Sequence, residues 1–191
     1  AAKQVFSYLK RTKDYGLVIR KDPNYDSTKR EINFEIYSDS DWGRDKLQRR
    51  SVTGYIGYLM GNPITYRACY QPTIALSTAE AEYMAMAEAA KEIKHIDNIF
   101  SEITYFKLNK PISMFIDNKA AIAIAKNPIC NSKTKHIDIR HHFLRELVSS
   151  GIFLPTHVDT EENNADIFTK PLGEPTFTKL MQRLVSTEYF H

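Results

Sequence analysis

The feature that most constrains this chain is the run from Ser77 to Ser101, a 25-residue helical pattern that follows three strand-like segments joined by short turns. Ser77 and Glu80 have the Ser-x-x-Glu spacing of a capping box, in which the two side chains satisfy free N–H groups of the first turn. Alanine and methionine, both good helix formers, dominate the interior. At about 100° per residue, Glu82, Met86, Ala89, Ile93, Ile96 and Phe100 share one face. A single carboxylate therefore heads an otherwise apolar stripe aimed at a sheet. Burying it costs on the order of several kcal/mol unless a cation or a hydrogen-bond donor compensates. Glu80 lies on the opposite face with Lys91 and Asn98, and its capping role accounts for it.

The segments around this helix set the fold class. Ile32, Phe34 and Ile36 alternate with Asn33, Glu35 and Tyr37, the period of a strand, which is expected to end at Ser38-Asp39. A polar loop over 41–50 leads to a β-rich stretch from Val52 to Met60, a turn at Gly61-Asn62-Pro63, and a strand from Ile64 to Arg67. Three strands with such short connections form an antiparallel meander. Beyond the long helix, Pro111 to Ile116 reads as a strand and Asp117 to Lys126 as a helix stopped by Asn127-Pro128. His136 to Ser149 reads as a helix closed by Gly151, Ile152 to Val158 as a fifth strand, and Asn163 to Thr169 as a short helix before Pro171. This order predicts an α/β domain over residues 31–173 around one mixed five-stranded sheet, three antiparallel strands then two parallel, flanked by helices. Residues 174–191 are expected to add a C-terminal helix or tail.

The first 30 residues are different in character. They hold eight Lys/Arg against three Asp, whereas the whole 191-residue chain nets only +3 from 26 basic and 23 acidic residues. Val5, Tyr8 and Leu9 recur at helical spacing until Tyr15-Gly16 breaks the pattern, Leu17-Val18-Ile19 has the makings of a short strand, and 21–30 reads as a loop. The segment reads as a basic helix and tether of a preceding domain, or as a first helix of the same domain. The chain opens Ala-Ala with no signal-peptide pattern, as expected of a fragment of a longer protein. A net charge of +3 does not by itself indicate a nucleic-acid binder, and the longest apolar run, Ala120 to Ala125, is far too short for a membrane span. Cys69 and Cys130 form neither a disulfide framework nor a paired zinc motif, and a reducing interior is the simpler expectation. His136, His141 and His142 lack a second set of soft ligands and read as helix surface.

Magnesium takes oxygen ligands, so a two-metal site needs a few converging carboxylates on rigid elements. In an α/β sheet these belong at strand ends and in the first turns of adjoining helices. Asp39 ends the first strand, with Asp41 as its competitor in Asp-Ser-Asp. Asp117 directly follows the strand 112–116, where a helix N-cap is the ordinary explanation. Asp166 lies near the start of a short helix, where the helix dipole favours an acid in any case. Glu82, on its apolar stripe, has no comparable ordinary role.

Six strings then occur in order: Tyr37-Ser-Asp-Ser-Asp-Trp42, Arg49-Arg-Ser-Val-Thr-Gly-Tyr55, Ser77-Thr-Ala-Glu-Ala-Glu-Tyr-Met-Ala85, Ile116-Asp-Asn-Lys119, Thr134-Lys-His-Ile-Asp-Ile-Arg140 and Ala165-Asp-Ile-Phe-Thr-Lys-Pro-Leu172. Together, from about Ile32 to Leu172, they resemble the ribonuclease H domain of copia-type LTR-retrotransposon Pol polyproteins. Residues 1–20, with Phe6-Ser-Tyr-Leu-Lys-Arg-Thr-Lys-Asp-Tyr-Gly16, are similar to the join that follows the reverse-transcriptase domain in such polyproteins. The resemblance implies a ribonuclease H-like fold and an Asp-Glu-Asp-Asp quartet that binds two divalent ions, Mg2+ or Mn2+. By motif position that quartet is Asp39, Glu82, Asp117 and Asp166, with Asp41 the rival for the first place. It also implies that Asp39 bridges both ions, with Glu82 and Asp117 on one and Asp166 on the other. Many cellular members carry a His on a mobile loop before the last Asp; here His157 precedes Asp166 by nine residues but falls on the last expected strand.

The implied reaction is hydrolysis of the RNA strand of an RNA/DNA hybrid, giving 3′-hydroxyl and 5′-phosphate ends, with the reverse-transcriptase domain of the same polyprotein as partner. Hybrid recognition of this kind rests on phosphates and 2′-hydroxyls rather than on sequence. Arg44, Lys46, Arg49 and Arg50, then Lys126, Lys133, Lys135, Arg140 and Arg145, form two basic stretches suited to phosphate contacts, with Arg49, Arg50, Lys133, Lys135 and Arg140 the principal candidates. Tyr66 and Tyr70 are suited to stacking or packing, and Trp42 to core packing. A catalytically inactive or domesticated hybrid-binding module is the competing reading, and an integrase-like strand-transfer enzyme a third. The retrotransposon origin implies an intracellular setting in cytoplasmic virus-like particles, with the nucleus as a further compartment.

Overall fold

The computed structural model describes residues 2–22, 25–26, 28–103, 105–126 and 135–185, with the backbone alone at residue 4 and at 135–141. The elements in chain order are α1 (Ala2–Arg11), β1 (Glu31–Ile32), β2 (Phe34–Asp41), β3 (Val52–Leu59), β4 (Asn62–Tyr70), α2 (Thr78–Glu102), β5 (Lys107–Leu108), β6 (Ile112–Ile116), α3 (Lys119–Lys126), α4 (Lys135–Ser149), β7 (Phe153–His157), a single 3-10 turn (Thr160–Glu162), α5 (Asp166–Thr169) and α6 (Glu174–Leu184).

The main sheet has five strands in the order β4-β3-β2-β6-β7. β2, β3 and β4 pair antiparallel, while β6 runs parallel to β2 and β7 parallel to β6. The expected α/β architecture, a meander followed by two parallel strands, is therefore the one observed. Two-residue strands β1 and β5 add a separate parallel pair, Glu31 beside Lys107 and Ile32 beside Leu108.

The two faces of the sheet have different covers. On one, α2 lays Met86, Ala89, Ala90, Ile93 and Ile96 against Phe34, Ile36, Tyr55, Met114 and Ile116, and α3 and α4 contribute Ile122 and Leu144 to the same core. Tyr55 donates its hydroxyl hydrogen to Glu92 of α2 at 3.2 Å, which fixes the helix across β3. Gly54, the neighbour of Tyr55, points to the other face, because successive residues of a strand alternate. There α5 packs against β3. Covered on both sides, β3 is buried from Val52 to Tyr58, which explains why it reads as nearly continuous apolar and small residues rather than as an alternation.

Helix α2 begins as its capping signature predicts. The Glu80 amide donates to the Ser77 hydroxyl at 3.1 Å. The Glu80 carboxylate reaches back to the amide of Leu76 at 2.7 Å, one residue earlier than the Ser77 amide of an ideal capping box. Just past β4, Gln71 donates to the Ala81 carbonyl at 2.9 Å and to the Thr53 hydroxyl at 3.1 Å, which ties the first turn of α2 to β3.

Several expectations are corrected. β2 does not end at Asp39 but runs to Asp41, because the ladder with β3 continues through Asp41 and Val52. Residues 17–19 form no strand, and Leu17 and Ile19 are exposed. Asp117 does not cap α3: the helix starts at Lys119, and Asn118 Oδ1 accepts the Ala121 amide at 3.0 Å. Trp42 is not a core residue but 49% exposed, lying just past β2 with its indole N–H on the Ala75 carbonyl at 3.0 Å. Helix α1 packs on α6 through Tyr8 and Phe177, edge to face at 6.0 Å, and through an Arg11–Glu174 ion pair.

Candidate active site

Parallel pairing of β2 with β6 places Tyr37 beside Phe115. Asp39 and Asp117 each lie two residues beyond that pair, so the two strands deliver both carboxylates at the same height. Glu82, in the first turns of α2, meets them from the helix side. One oxygen of each of Asp39, Glu82 and Asp117 lies within 4.8 Å of the others. Asp39 is 1% exposed, Glu82 6%, and Asp117 half-buried. Glu82 Oε1 accepts the Ser40 amide at 3.2 Å, whereas Oε2 is buried with no hydrogen-bond partner. Burial first, then the charges of Asp39 and Asp117, raise the Glu82 pKa well above the ordinary carboxyl value. Burial also raises the pKa of Asp39, against the opposing pull of Lys170.

Asp39, not Asp41, joins this trio. Both acids point to the same face of β2, being two residues apart. Asp41 lies farther along the strand and pairs with Arg44 at 3.3 Å.

Asp166 stands beside the trio on the Gly54 face. The turn that carries it is fastened at three points: Thr160 donates its hydroxyl to Asp117 Oδ2 at 2.9 Å, Asn163 donates Nδ2–H to the Ser38 carbonyl at 3.1 Å, and Asn163 Oδ1 accepts the Ala165 amide at 3.1 Å. Helix α5 then brings Thr169 to Asp39, whose Oδ2 accepts the Thr169 hydroxyl. Burial, then the charge of Asp39, pushes the Asp166 pKa up to about 7. Lys170 Nζ lies 3.0 Å from Asp166 Oδ1 and 3.7 Å from Asp39 Oδ2. Burial acts to lower the Lys170 pKa, but Asp39, Asp166 and Asp117 outweigh it and the net shift is upward.

Gly54 admits α5 to this position. It is the register partner of Asp39, and a Cβ there would come 2.5 Å from Thr169 Cγ2 and 3.0 Å from the Ala165 carbonyl oxygen. The sequence by itself marks out no role for Gly54, Asn163, Thr169 or Lys170. Three of them lie within the strings Arg49–Tyr55 and Ala165–Leu172, and that membership is their only sequence signal.

Of the five principal basic candidates, Arg49 and Arg50 have described side chains. Arg49 is exposed with left-handed backbone (φ 58°), and the Arg50 guanidinium lies 5.4 Å from the Tyr70 ring centroid. Lys133 lies outside the described residues, and at Lys135 and Arg140 only the α4 backbone is described. Tyr66 stacks on Phe168 of α5 at 5.5 Å. His157 closes β7 opposite Ile116 and is exposed, a strand-end residue as expected.

Against known proteins, no family model matches. The chain is 33% identical over 184 residues to the retrovirus-related Pol polyprotein from transposon RE1 of Arabidopsis thaliana, covering 96% of this chain and 12% of that protein. It is 35% identical over 149 residues to the Pol polyprotein from transposon TNT 1-94 of Nicotiana tabacum, covering 78% of this chain and 11% of that protein. Among solved structures, LC11-RNase H1 in complex with RNA/DNA hybrid superposes with a TM-score of 0.53 at 13% identity, over 72% of this chain and 94% of that one. The chain belongs to the retrovirus-related Pol polyproteins of transposons and has the ribonuclease H fold.

This Pol segment thus spans about an eighth of the length of the curated relatives it matches. RNase H1 from the halophilic archaeon Halobacterium salinarum NRC-1 repeats the fold likeness, with a TM-score of 0.51 at 14% identity over 73% of this chain and 94% of that one. At such identities the likeness establishes the fold, while the site is argued from its own residues. Among the described residues of the Pol segment, no helix is long and apolar enough to cross a membrane.

Proposed function

We propose that this Pol segment is a ribonuclease H that hydrolyses the RNA strand of RNA/DNA hybrids with divalent metal, leaving 3′-hydroxyl and 5′-phosphate ends. The observation that carries the reading is the convergence of Asp39, Glu82 and Asp117 within 4.8 Å, with Glu82 Oε2 buried and unpartnered. Three acids brought together in a largely buried place repel one another and raise one another's pKa, a costly arrangement with no structural return. Hard oxygen donors of this kind suit Mg2+, with Mn2+ as a substitute. Asp39, Glu82, Asp117 and Asp166 are the residues that would hold such ions.

When bound there, the ions supply positive charge against the negative charge that develops on the phosphate during hydrolysis. The protein's part is to hold the carboxylates still. Ser40 N–H orients Glu82, Thr169 and Lys170 orient Asp39, and the turn from Thr160 to Asn163 fixes Asp166 against β2. Each acts before the reaction begins, which is how preorganised charge lowers a barrier.

The solved ribonuclease H relative bound to an RNA/DNA hybrid supports the substrate class. Arg49, Arg50, Lys133, Lys135 and Arg140 are the proposed phosphate contacts, recognising backbone rather than sequence. The Pol polyprotein relatives support a polyprotein context; within it a reverse-transcriptase domain is the proposed partner and cytoplasmic particles the proposed place of work.

A labelled RNA/DNA hybrid incubated with Mg2+, Mn2+ or EDTA tests this, comparing the wild type with Asp117→Asn. Cutting of the RNA strand alone, dependent on metal and lost in the variant, is the expected result. Salt-sensitive hybrid binding without cutting by either protein would replace the nuclease with a binding module, and strand transfer would point to an integrase-like enzyme.

A further inference from the structure

Lys170 enters the carboxylate cluster from the C-terminal end of α5. Its backbone amide donates to the Asp166 carbonyl at 3.2 Å, which turns the chain so that the side chain runs back over the acids. Nζ then sits 3.0 Å from Asp166 Oδ1 and 3.7 Å from Asp39 Oδ2. The two acid side chains are 4% and 2% exposed, while that of Lys170 is 32% exposed. Among the described residues, no other cation is ion-paired with Asp39 or Asp166; the neighbouring Arg44 is engaged by Asp41 and by the Thr169 carbonyl.

The ammonium therefore occupies the same oxygens that a divalent ion between Asp39 and Asp166 needs. A monovalent and a divalent cation cannot share them at 3–4 Å in a partly buried site without strong repulsion. Lysine is the residue suited to giving way, being a compact point charge on a flexible four-carbon arm. Its partial exposure leaves that arm a path to solvent. A counter-ion meant to be permanent is better served by the planar, two-pronged hydrogen bonding of arginine.

We propose that Lys170 is a displaceable internal counter-cation. It neutralises the Asp39–Asp166 pair in the metal-free protein and swings out when a divalent ion takes their oxygens, so that it sets how tightly that end of the site holds metal. Lys170 is thus a positioning residue, keeping the acids in place before metal arrives. The inference rests on the metal-binding reading given above.

The test uses the 191-residue chain as wild type, Lys170→Met, Lys170→Arg and Asp166→Asn. Mn2+ binding is followed by calorimetry, and thermal melting is followed in EDTA and in Mn2+. Lys170→Met is expected to melt lower than wild type in EDTA yet bind Mn2+ about tenfold more tightly, since a competing charge is gone. Lys170→Arg, which keeps the charge, restores melting in EDTA and binds Mn2+ no more tightly than wild type. Asp166→Asn loses Mn2+ binding at the Asp39–Asp166 pair, which locates the ion that Lys170 competes with. If wild type binds Mn2+ and Lys170→Met binds it equally or more weakly, Lys170 is a fixed salt bridge and the proposal is overturned. If wild type binds no Mn2+ at all, the metal reading itself fails, and the displacement falls with it.

Discussion

Gly54 and Thr169 are in contact that leaves no room for a side chain: a Cβ on Gly54 would lie 2.5 Å from Thr169 Cγ2. This one missing methyl lets α5 settle on β3, and so lets the Thr169 hydroxyl and Lys170 ammonium reach Asp39. Gly54→Ala is therefore expected to push α5 away. The overpacking costs about 1–3 kcal/mol of stability. Cleavage is expected to fall at least roughly tenfold, because small displacements of catalytic groups are expensive. Denaturant melts with hybrid-cleavage rates on the same preparation check this, and a variant with wild-type activity would show that α5 has slack.

The crowded acids make the metal-free protein sensitive to pH in an unusual direction. Glu82 has its pKa raised well above the ordinary value by burial and by its neighbours' charges, Asp39 is raised by burial, and Asp166 is pushed up to about 7. A carboxyl whose folded pKa exceeds its unfolded one binds more protons when folded, so it contributes stability at low pH that is lost as pH rises. For Asp166 the window runs from about pH 4, the unfolded carboxyl value, to about pH 7. In EDTA, urea midpoints should decline across this interval. Glu82→Gln removes one of the repelling charges, so at neutral pH without metal it should be more stable than wild type. The same variant should lose cleavage by about 100-fold or more, losing one ligand of the metal. A variant less stable than wild type in EDTA would mean that the charges are not in conflict.

The turn before α5 is fastened by a fully buried asparagine. Asn163 donates to the Ser38 carbonyl, next to Asp39, and accepts the Ala165 amide, next to Asp166. Asn163→Ala leaves a buried carbonyl short of a partner, at a cost of about 1–3 kcal/mol. It should also lower cleavage more than its stability loss explains. Leu180→Ala, on the fully buried anchor of α6, offers the contrast: about 2–5 kcal/mol of destabilisation from the cavity. Its cleavage rate per folded molecule should stay near wild type. Chemical melts and rates measured well below each midpoint separate the two, and equal behaviour would remove the special role given to Asn163.

What local sequence determined here is whatever depends on neighbours along the chain. Helical period alone set Glu82 apart from Glu80, because seven residues of spacing already tell a buried face from a capping one. Alternation and turn chemistry were enough for the meander, and strand-helix order for the parallel pair that follows it. Resemblance to a known family supplied the rest of the quartet.

Tertiary structure decided what depends on residues far apart. Asp39 and Asp41 are indistinguishable by alternation, since both point to one face of β2; only the position of α5 and the pairing of Arg44 with Asp41 separate them. Asp117 stands where a helix cap is expected from the sequence, but in the fold Asn118 accepts the amide instead. Thr169 and Lys170 touch Asp39 across some 130 residues of sequence. No periodicity spans such a distance. Contacts of that kind exist only after the chain has folded, because their energy comes from burial and charge that the extended chain does not have.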